Sequence, residues 1–548
     1  MFLGIVLLVF IIYPFFILLL NSLGVPAGRF EPGIDIFAKT FSERGTWKAL
    51  VNTIYTALLV TVLTAIVSGI LAWLVVRTDF YFKKLIKNLS FLTFIIPPYI
   101  LALSWLEFFG RNGYLHRILV CIFGLKEYTL EYYSITAVAI VMSIHLYPLV
   151  FMALCNALEK HDPSLENAAI MSGATAWKTT FSITIPLIIP SFLSIGLLVF
   201  SRTMANFGVP ALLALPVRKE VLTTRIYASL SNLNIKGATA LSLLLVFISA
   251  LIFILSTLVF RKKSFSTVNF NREKPRIYSL GKWKGIITAA VFLFQGITTI
   301  LPLVTIFLSS FLKRWGLPLK LEYLTLNNYI QLIFKNDQAV TAFRNSIIYG
   351  ITGATFAAVI GSSIAFISHS SEARGGKVLE LVASWPMAFP NIVLAVAAIL
   401  AWNSPPLALY GTPWVIIVTY MVLFIPIIMK NVTGLIQNHD RTQPLAARIS
   451  GASPVRSFLD VTFPAISPGI RSGWLLCFLI ALKEIPISLM LYSSGQETLG
   501  VLLFGMQSQS YGLEMTSTLA VVIIGLIFIG NIMIQTGKRR IKNENASD

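Results

Sequence analysis

Asp162-Pro163-Ser164-Leu165-Glu166-Asn167-Ala168-Ala169-Ile170-Met171-Ser172-Gly173-Ala174, running on to Ile185-Pro186 and Pro190, is a polar, turn-forming stretch in an otherwise apolar chain. It returns 278 residues later as Asp440, then Ala446-Ala447-Arg448-Ile449-Ser450-Gly451-Ala452, then Phe463-Pro464 and Pro468. Without a gap, the windows 162–190 and 440–468 agree at 10 of 29 positions. The matches include Asp, Ser, Gly, Thr and two Pro, which apolar bias cannot produce. Locally, Asp162 suits the cap of a helix start and Pro163 its first position. Residues 164–172 then form a short helix carrying Ala168 and Ala169, which Gly173 stops in a left-handed conformation. Thr175, or Ser453 with Pro454 behind it in the second copy, caps another helix. Pro186 and Pro190 mark the return to the membrane. The small alanines leave room for a partner groove to approach the backbone. A single copy would read equally well as a connector resting on lipid; two copies at fixed spacing favour a docking elbow.

The surroundings are membrane-like: of 548 residues, 56% are hydrophobic and 12% charged, with mean hydropathy +0.79. A helix needs roughly 20 apolar residues to cross the hydrocarbon core. On that basis about twelve spans fall near 2–21, 50–76, 88–108, 135–157, 187–211, 238–260, 286–312, 344–368, 379–402, 413–430, 468–494 and 513–536. Basic residues cluster in alternate short loops: Arg77, Lys83, Lys84 and Lys87, then Arg261 to Lys284, then Lys538, Arg539, Arg540 and Lys542. The inside-positive bias places these loops, both termini and both elbows in the cytoplasm. It also accounts for the net charge of +20 without any nucleic-acid partner, because the surplus sits at membrane edges facing anionic lipid. Residues 1–21 lack a basic leader and a small-residue cleavage site, so they read as an uncleaved first span. Cys121, Cys155 and Cys477 are scattered, and neither they nor the five histidines have metal-ligand spacing. His145 reads as a hydrogen-bonded bundle residue.

Six spans plus six describe a duplicated chain. Asn52-Thr53-Ile54-Tyr55 and Asn345-Ser346-Ile347-Ile348-Tyr349 open matching spans at an offset of 293, against 278 at the elbows. The 15-residue difference is an insertion near 109–134. The expected organisation is a first half 1–263 with elbow loop 158–186, a basic linker 264–284, a second half 285–536 with elbow loop 431–468, and a tail 537–548. An even number of spans per half gives both repeats one orientation, and hence a pseudo-twofold axis along the membrane normal.

The elbows resemble the loop of membrane permeases in binding-protein-dependent ABC importers: Glu-Ala-Ala, three residues, Gly, nine residues, hydrophobic-x-Leu-Pro. The Gly173 to Pro186 and Gly451 to Pro464 spacings both match. Within that family the chain looks like the fused double permeases of the ferric-iron type. Phe207-Gly208-Val209-Pro210-Ala211-Leu212-Leu213 and Ala481-Leu482-Lys483-Glu484-Ile485-Pro486 echo that subfamily. The loop Glu of the family falls on Asn167 and Leu445; Glu166, one residue away, is the substitute in the first copy. The resemblance implies an all-α polytopic permease in a prokaryotic inner (plasma) membrane, of the type I importer kind. Implied partners are a homodimer of ABC ATPase subunits, carrying ATP and Mg, and an extracytoplasmic substrate-binding protein. It places the ATPase contacts on Asp162, Glu166, Asn167, Ala168, Ala169, Gly173, Ala174 and Pro186. In the second copy they are Asp440, Leu445, Ala446, Ala447, Gly451, Ala452 and Pro464. The chain must borrow its ATPase: near Gly376-Lys377, Ser371 and Val378 stand where a phosphate-binding loop needs Gly and Ser/Thr.

Arg202, Lys483 and Glu484 lie in spans as read. Intramembrane charges of this kind either line a pathway or act as polar glue within the bundle. Ferric iron is the leading substrate by resemblance, with thiamine, polyamine and phosphonate as alternatives. An ion-coupled secondary transporter would share two parallel halves, but would leave the twin elbows unexplained. No nucleophile–base pairing supports a membrane-embedded enzyme.

Overall fold

The computed structural model describes residues 2–23, 33–124, 131–159, 163–261, 276–369, 375–405, 407–438, 442–508 and 512–547. Asp162, the expected helix cap, its counterpart Asp440 and residues 264–275 of the linker lie outside the described residues. The described elements are helices; extended pairing is confined to the isolated bridges Thr78–Tyr278 and Leu312–Leu324.

Among the described residues, ten helices are long and apolar enough to cross a membrane: Phe2–Ser22, Arg44–Arg77, Ile135–Glu159, Ala176–Met204, Ile235–Leu255, Gly281–Ser310, Asp337–His369, Pro413–Gln437, Pro454–Leu482 and Leu513–Ile534. Two bent pairs bring the number to twelve: Lys83–Ile95 with Pro98–Phe123 at 95°, and Gly376–Ala388 with Asn391–Trp402 at 109°. These fall on the twelve apolar runs of the sequence, with differences at the breaks. Spans 3 and 9 turn sharply because Pro97 and Pro390 force the preceding Ile96 and Phe389 into extended conformations, ψ 126° and 139°. Spans 5 and 11 end at Met204 and Leu482, short of the expected 211 and 494; separate short helices, Gly208–Leu213 and Pro486–Leu491, follow. The insertion of the first half folds as a further helix, Tyr114–Phe123, closed by left-handed Gly124.

The chain forms two compact units that do not coincide with its sequence halves. One unit comprises Met1–Thr40, Ile226–Val246 and Thr325–Asp548; the other comprises Phe41–Arg225 and Phe247–Leu324. In the first unit, Asp337–His369 packs along the helix Pro413–Asn438. Small residues set that approach, since a Cβ added at Gly361 would lie 2.8 Å from the Ile425 carbonyl oxygen. Phe2–Ser22 lies on the helix Asn391–Trp402, with the Phe10 and Tyr13 rings 5.8 and 5.6 Å from Trp402. In the second unit, Arg44–Arg77 packs along Ile135–Glu159, where Ser68 Oγ donates to the Tyr147 carbonyl at 2.8 Å. Gly281–Ser310 completes this unit through Gln295, which donates to Ser90 Oγ at 2.7 Å and accepts from Tyr147 OH at 3.1 Å. The opening span of each sequence half therefore packs among residues of the other half, an exchange of like elements between repeats. The division into 1–263 and 285–536 describes the duplication, not the packing.

Candidate functional site

Each elbow is built by the same local rules. In the first, the helix Ser164–Met171 ends at Gly173, whose φ is +87°. The Gly173 N–H donates to the Ile170 carbonyl and the Ala174 N–H to the Ala169 carbonyl, both at 2.9 Å. In the second, the helix Thr442–Ile449 ends at Gly451, φ +91°, and Ala452 N–H donates to the Ala447 carbonyl at 3.0 Å. This paired closure consumes carbonyls that a helix end would otherwise leave bare. Thr175 Oγ1 then accepts from Lys178 N–H at 3.3 Å, and Ser453 Oγ from Arg456 N–H at 3.2 Å, capping the second arm. That arm does not stop at Pro186 or Pro464. It widens over 180–184 and 458–462, where the wide turns precede each proline, and continues as one helix into the membrane. A load on either elbow therefore reaches the span along a single element of 29 residues, about 44 Å long.

The outward faces also match. Met171 is 90% exposed and its counterpart Ile449 87%, while Trp177 and its counterpart Val455 are 75% and 67% exposed. Ala168 and Ala446 are exposed and Ala169 and Ala447 half-buried. Apolar tips at equivalent positions of two polar loops are the composition of a docking surface. Glu166 does not share this face. It is fully buried, accepting from both terminal nitrogens of Arg77 at 2.8 and 2.9 Å and from Thr184 Oγ1 at 2.7 Å. It therefore cannot supply the missing acid at the outer surface of the first elbow; Asn167, half-buried, and exposed Leu445 remain in that position.

Residues 62–264 and 357–543 each match the family described as binding-protein-dependent transport system inner membrane component. The chain belongs to this family. It is similar to the ferric transport system permease protein FbpB of Actinobacillus pleuropneumoniae, 27% identical over 468 residues, covering 84% of this chain and 67% of that protein. A ferric transport system permease protein of Haemophilus influenzae is 27% identical over 403 residues, covering 73% and 63% of the two chains. A 2-aminoethylphosphonate transport system permease protein of Salmonella typhimurium is 26% identical over 223 residues, or 40% and 82%. The chain spans about two thirds of the length of its ferric relatives. Two copies of the family domain, helical among the described residues, make this a fused two-half permease of the type I ABC importer kind, a multi-pass protein of a bacterial inner membrane transport system.

The charged residues read as span-embedded fall at the ends of spans in this permease. Arg202 is exposed in the last turn of its helix. Lys483 closes the helix Phe463–Leu482, and Glu484 stands in the break after it. Glu484 is 4% exposed and accepts from the Ile487 and Ser488 N–H groups at 3.0 and 3.1 Å, from Ser488 Oγ, and from Asn391 Nδ2 at 3.3 Å. The equivalent Asn206 accepts from Val209 N–H at 3.0 Å. Both residues cap the short helix that follows the break, which favours the structural reading of Glu484 over a pathway-lining one. His145 is buried and stacked 5.5 Å from Phe94. Among the described residues no three His, Cys, Asp or Glu side chains approach closely enough to hold a metal ion. The sequence reading missed Arg77 and Thr184, and it also missed Glu107, fully buried in the helix Pro98–Phe109.

Proposed function

We propose that this permease is the pathway-forming subunit of an ATP-driven importer, seated through its two elbows on a separate dimer of ATPase subunits. The observation that carries this reading is the duplicated elbow: two Gly-closed helices with matched exposed tips, each continuous with a membrane helix. A motor of two like subunits requires two like contacts, and closure of such a dimer displaces both contacts together. ATP and Mg belong to that partner, and this chain holds no cofactor. The basic loops support cytoplasmic elbows and termini. The family description, which specifies binding-protein dependence, supports an extracytoplasmic partner that delivers the substrate. Ferric iron is the substrate best supported, by two relatives that match most of the chain. The 2-aminoethylphosphonate relative keeps a phosphonate as the second reading; thiamine and polyamine rest on family resemblance alone.

The deciding experiment is uptake of labelled ferric iron by cells with and without this chain, with 2-aminoethylphosphonate, thiamine and a polyamine run beside it. Chain-dependent uptake of iron alone is expected. Equal iron uptake in both strains rejects iron, and uptake that survives inactivation of the ATPase rejects the ATP-driven reading.

A further inference from the structure

Arg77 is the last residue of the helix Arg44–Arg77 and is fully buried at the foot of the first elbow. Burying an ion pair gains little stability over an apolar pair of similar shape, so its use here calls for a geometric reason. The guanidinium grips the Glu166 carboxylate with two parallel bonds, and Thr184 holds the same carboxylate from the other arm of the elbow. A planar fork on a carboxylate fixes direction as well as distance. The backbone at the same point is occupied too. The Arg77 carbonyl accepts from Tyr278 N–H at 2.7 Å, and Asp79 N–H donates back to the Tyr278 carbonyl at 3.1 Å. Leu280 N–H donates to Asp79 Oδ1 at 2.9 Å, Lys284 pairs with Asp79 at 3.3 Å, and Tyr278 stacks on Trp73. Residues 278–284 lead directly into Gly281–Ser310, so two membrane helices and one elbow converge on a single residue.

The sequence of the second copy does not supply the same pair at the equivalent positions. At the same offsets, Ser370 stands for Arg77 and Pro444 for Glu166. Among the described residues, the second elbow is held by Ser457 Oγ on the Pro444 carbonyl at 3.0 Å, an exposed Arg456–Asp460 pair and an edge-on contact of Phe458 with Phe366 of Asp337–His369 at 4.9 Å, with no buried ion pair to that helix.

We propose that Arg77 is a positioning residue for coupling: it locks the first elbow to Arg44–Arg77 and, through the linker, to Gly281–Ser310. The first elbow is then a rigid lever moving three membrane helices, counting its own continuation Ala176–Met204. The second elbow is a compliant one that moves chiefly its own helix. The proposal rests on the elbows being the ATPase contacts.

The test uses the full chain assembled with its ATPase subunits in lipid nanodiscs, with hydrogen exchange followed before and after trapping with ATP and vanadate. In the native assembly, trapping is expected to alter exchange in 164–172 and to carry through to 72–77 and 278–284. Arg77→Lys keeps the cation but loses the fork; residues 164–172 should still respond while the response at 72–77 and 278–284 is lost. The response of the second elbow, 442–449, should be unchanged. Carry-through that survives in Arg77→Lys overturns the proposal and leaves the docking role standing. No response at either elbow of the native assembly overturns both. Should Arg77→Lys fail to accumulate, the double variant Arg77→Met/Glu166→Met removes the pair without stranding a charge and is read the same way. Recovery of carry-through in the charge-swapped Arg77→Glu/Glu166→Arg chain is the expected rescue.

Discussion

Replacing Gly173 or Gly451 isolates the backbone geometry of an elbow from its contacts. Both glycines have left-handed φ, +87° and +91°, and an added Cβ would meet nothing within 4 Å. Steric clash is therefore absent and the cost is conformational. An L-residue held there costs about 1–2 kcal/mol. Substituting Gly also removes about 0.4–1 kcal/mol of unfolded-chain freedom, which partly offsets that cost. The net is about 0.5–1 kcal/mol for Ala, a roughly two- to fivefold fall in the correctly closed elbow. Asn tolerates the left-handed region and should cost least, and Val, branched at Cβ, most. Asp tolerates the geometry but sets a negative charge against the carbonyl end of the elbow helix, adding about 0.3–1 kcal/mol, and presents that charge to the partner face. The assay is ATP-driven uptake in vesicles containing the assembled transporter, with membrane insertion measured in parallel. Insertion should be unaffected throughout. Uptake should fall in the order Asn, Ala, Val, and Asp should abolish it at either elbow. Equal defects for Asn and Val would refute the backbone argument, and normal transport by the Asp variants would refute the coupling role of the elbows.

Trp177→Ala and Met171→Ala change exposed side chains, so stability should move by no more than about 0.5 kcal/mol. Binding of the ATPase subunits should nevertheless weaken, by about 2 kcal/mol for Trp177, as titration of the assembly would show. Glu484→Ala strands buried N–H donors at 487 and 488 and should destabilise the permease by about 1–3 kcal/mol in thermal unfolding. Asn206→Ala, with one such bond, should cost about 1 kcal/mol. The Leu280 N–H on its carboxylate, with Lys284 beside it, holds the Asp79 pKa below its ordinary value. Its contribution is thus fully present above about pH 4, the unfolded value, and is lost as pH falls through the lower folded value. Protease cutting within 276–284 should rise on acidification below that value, and Asp79→Asn should show the faster cutting at all pH values.

Span count and elbow design were legible because they depend on local signals. Twenty-residue apolar runs, an Ala-Ala-x-x-x-Gly stop and a Ser or Thr cap act within a few residues of themselves. The bends at Pro97 and Pro390 were hidden because apolar composition continues across them, so a run long enough to span looks the same straight or folded back. Arg77 read as one more inside-positive charge because its partner Glu166 is 89 residues away, and nothing in either neighbourhood announces the pairing. Glu166 read as an outward contact for the same reason. Glu484 was legible as unusual but not in its role, since capping depends on a helix break that the apolar pattern conceals. The exchange of opening spans between repeats had no local sequence signal: Phe2–Ser22 is apolar along nearly its whole length, and Gln295 of Gly281–Ser310 does not announce that its partners Ser90 and Tyr147 lie in the other half.

The most direct test of a permease driven through twin elbows places single cysteines at Met171 and Ile449, the two most exposed apolar tips, and cross-links them to the ATPase subunit in membranes. The account predicts that both positions cross-link from the cytoplasmic face and that ATP changes the yield at both. Labelling of either position from the outer face, or transport that continues with no ATPase attached, would contradict it.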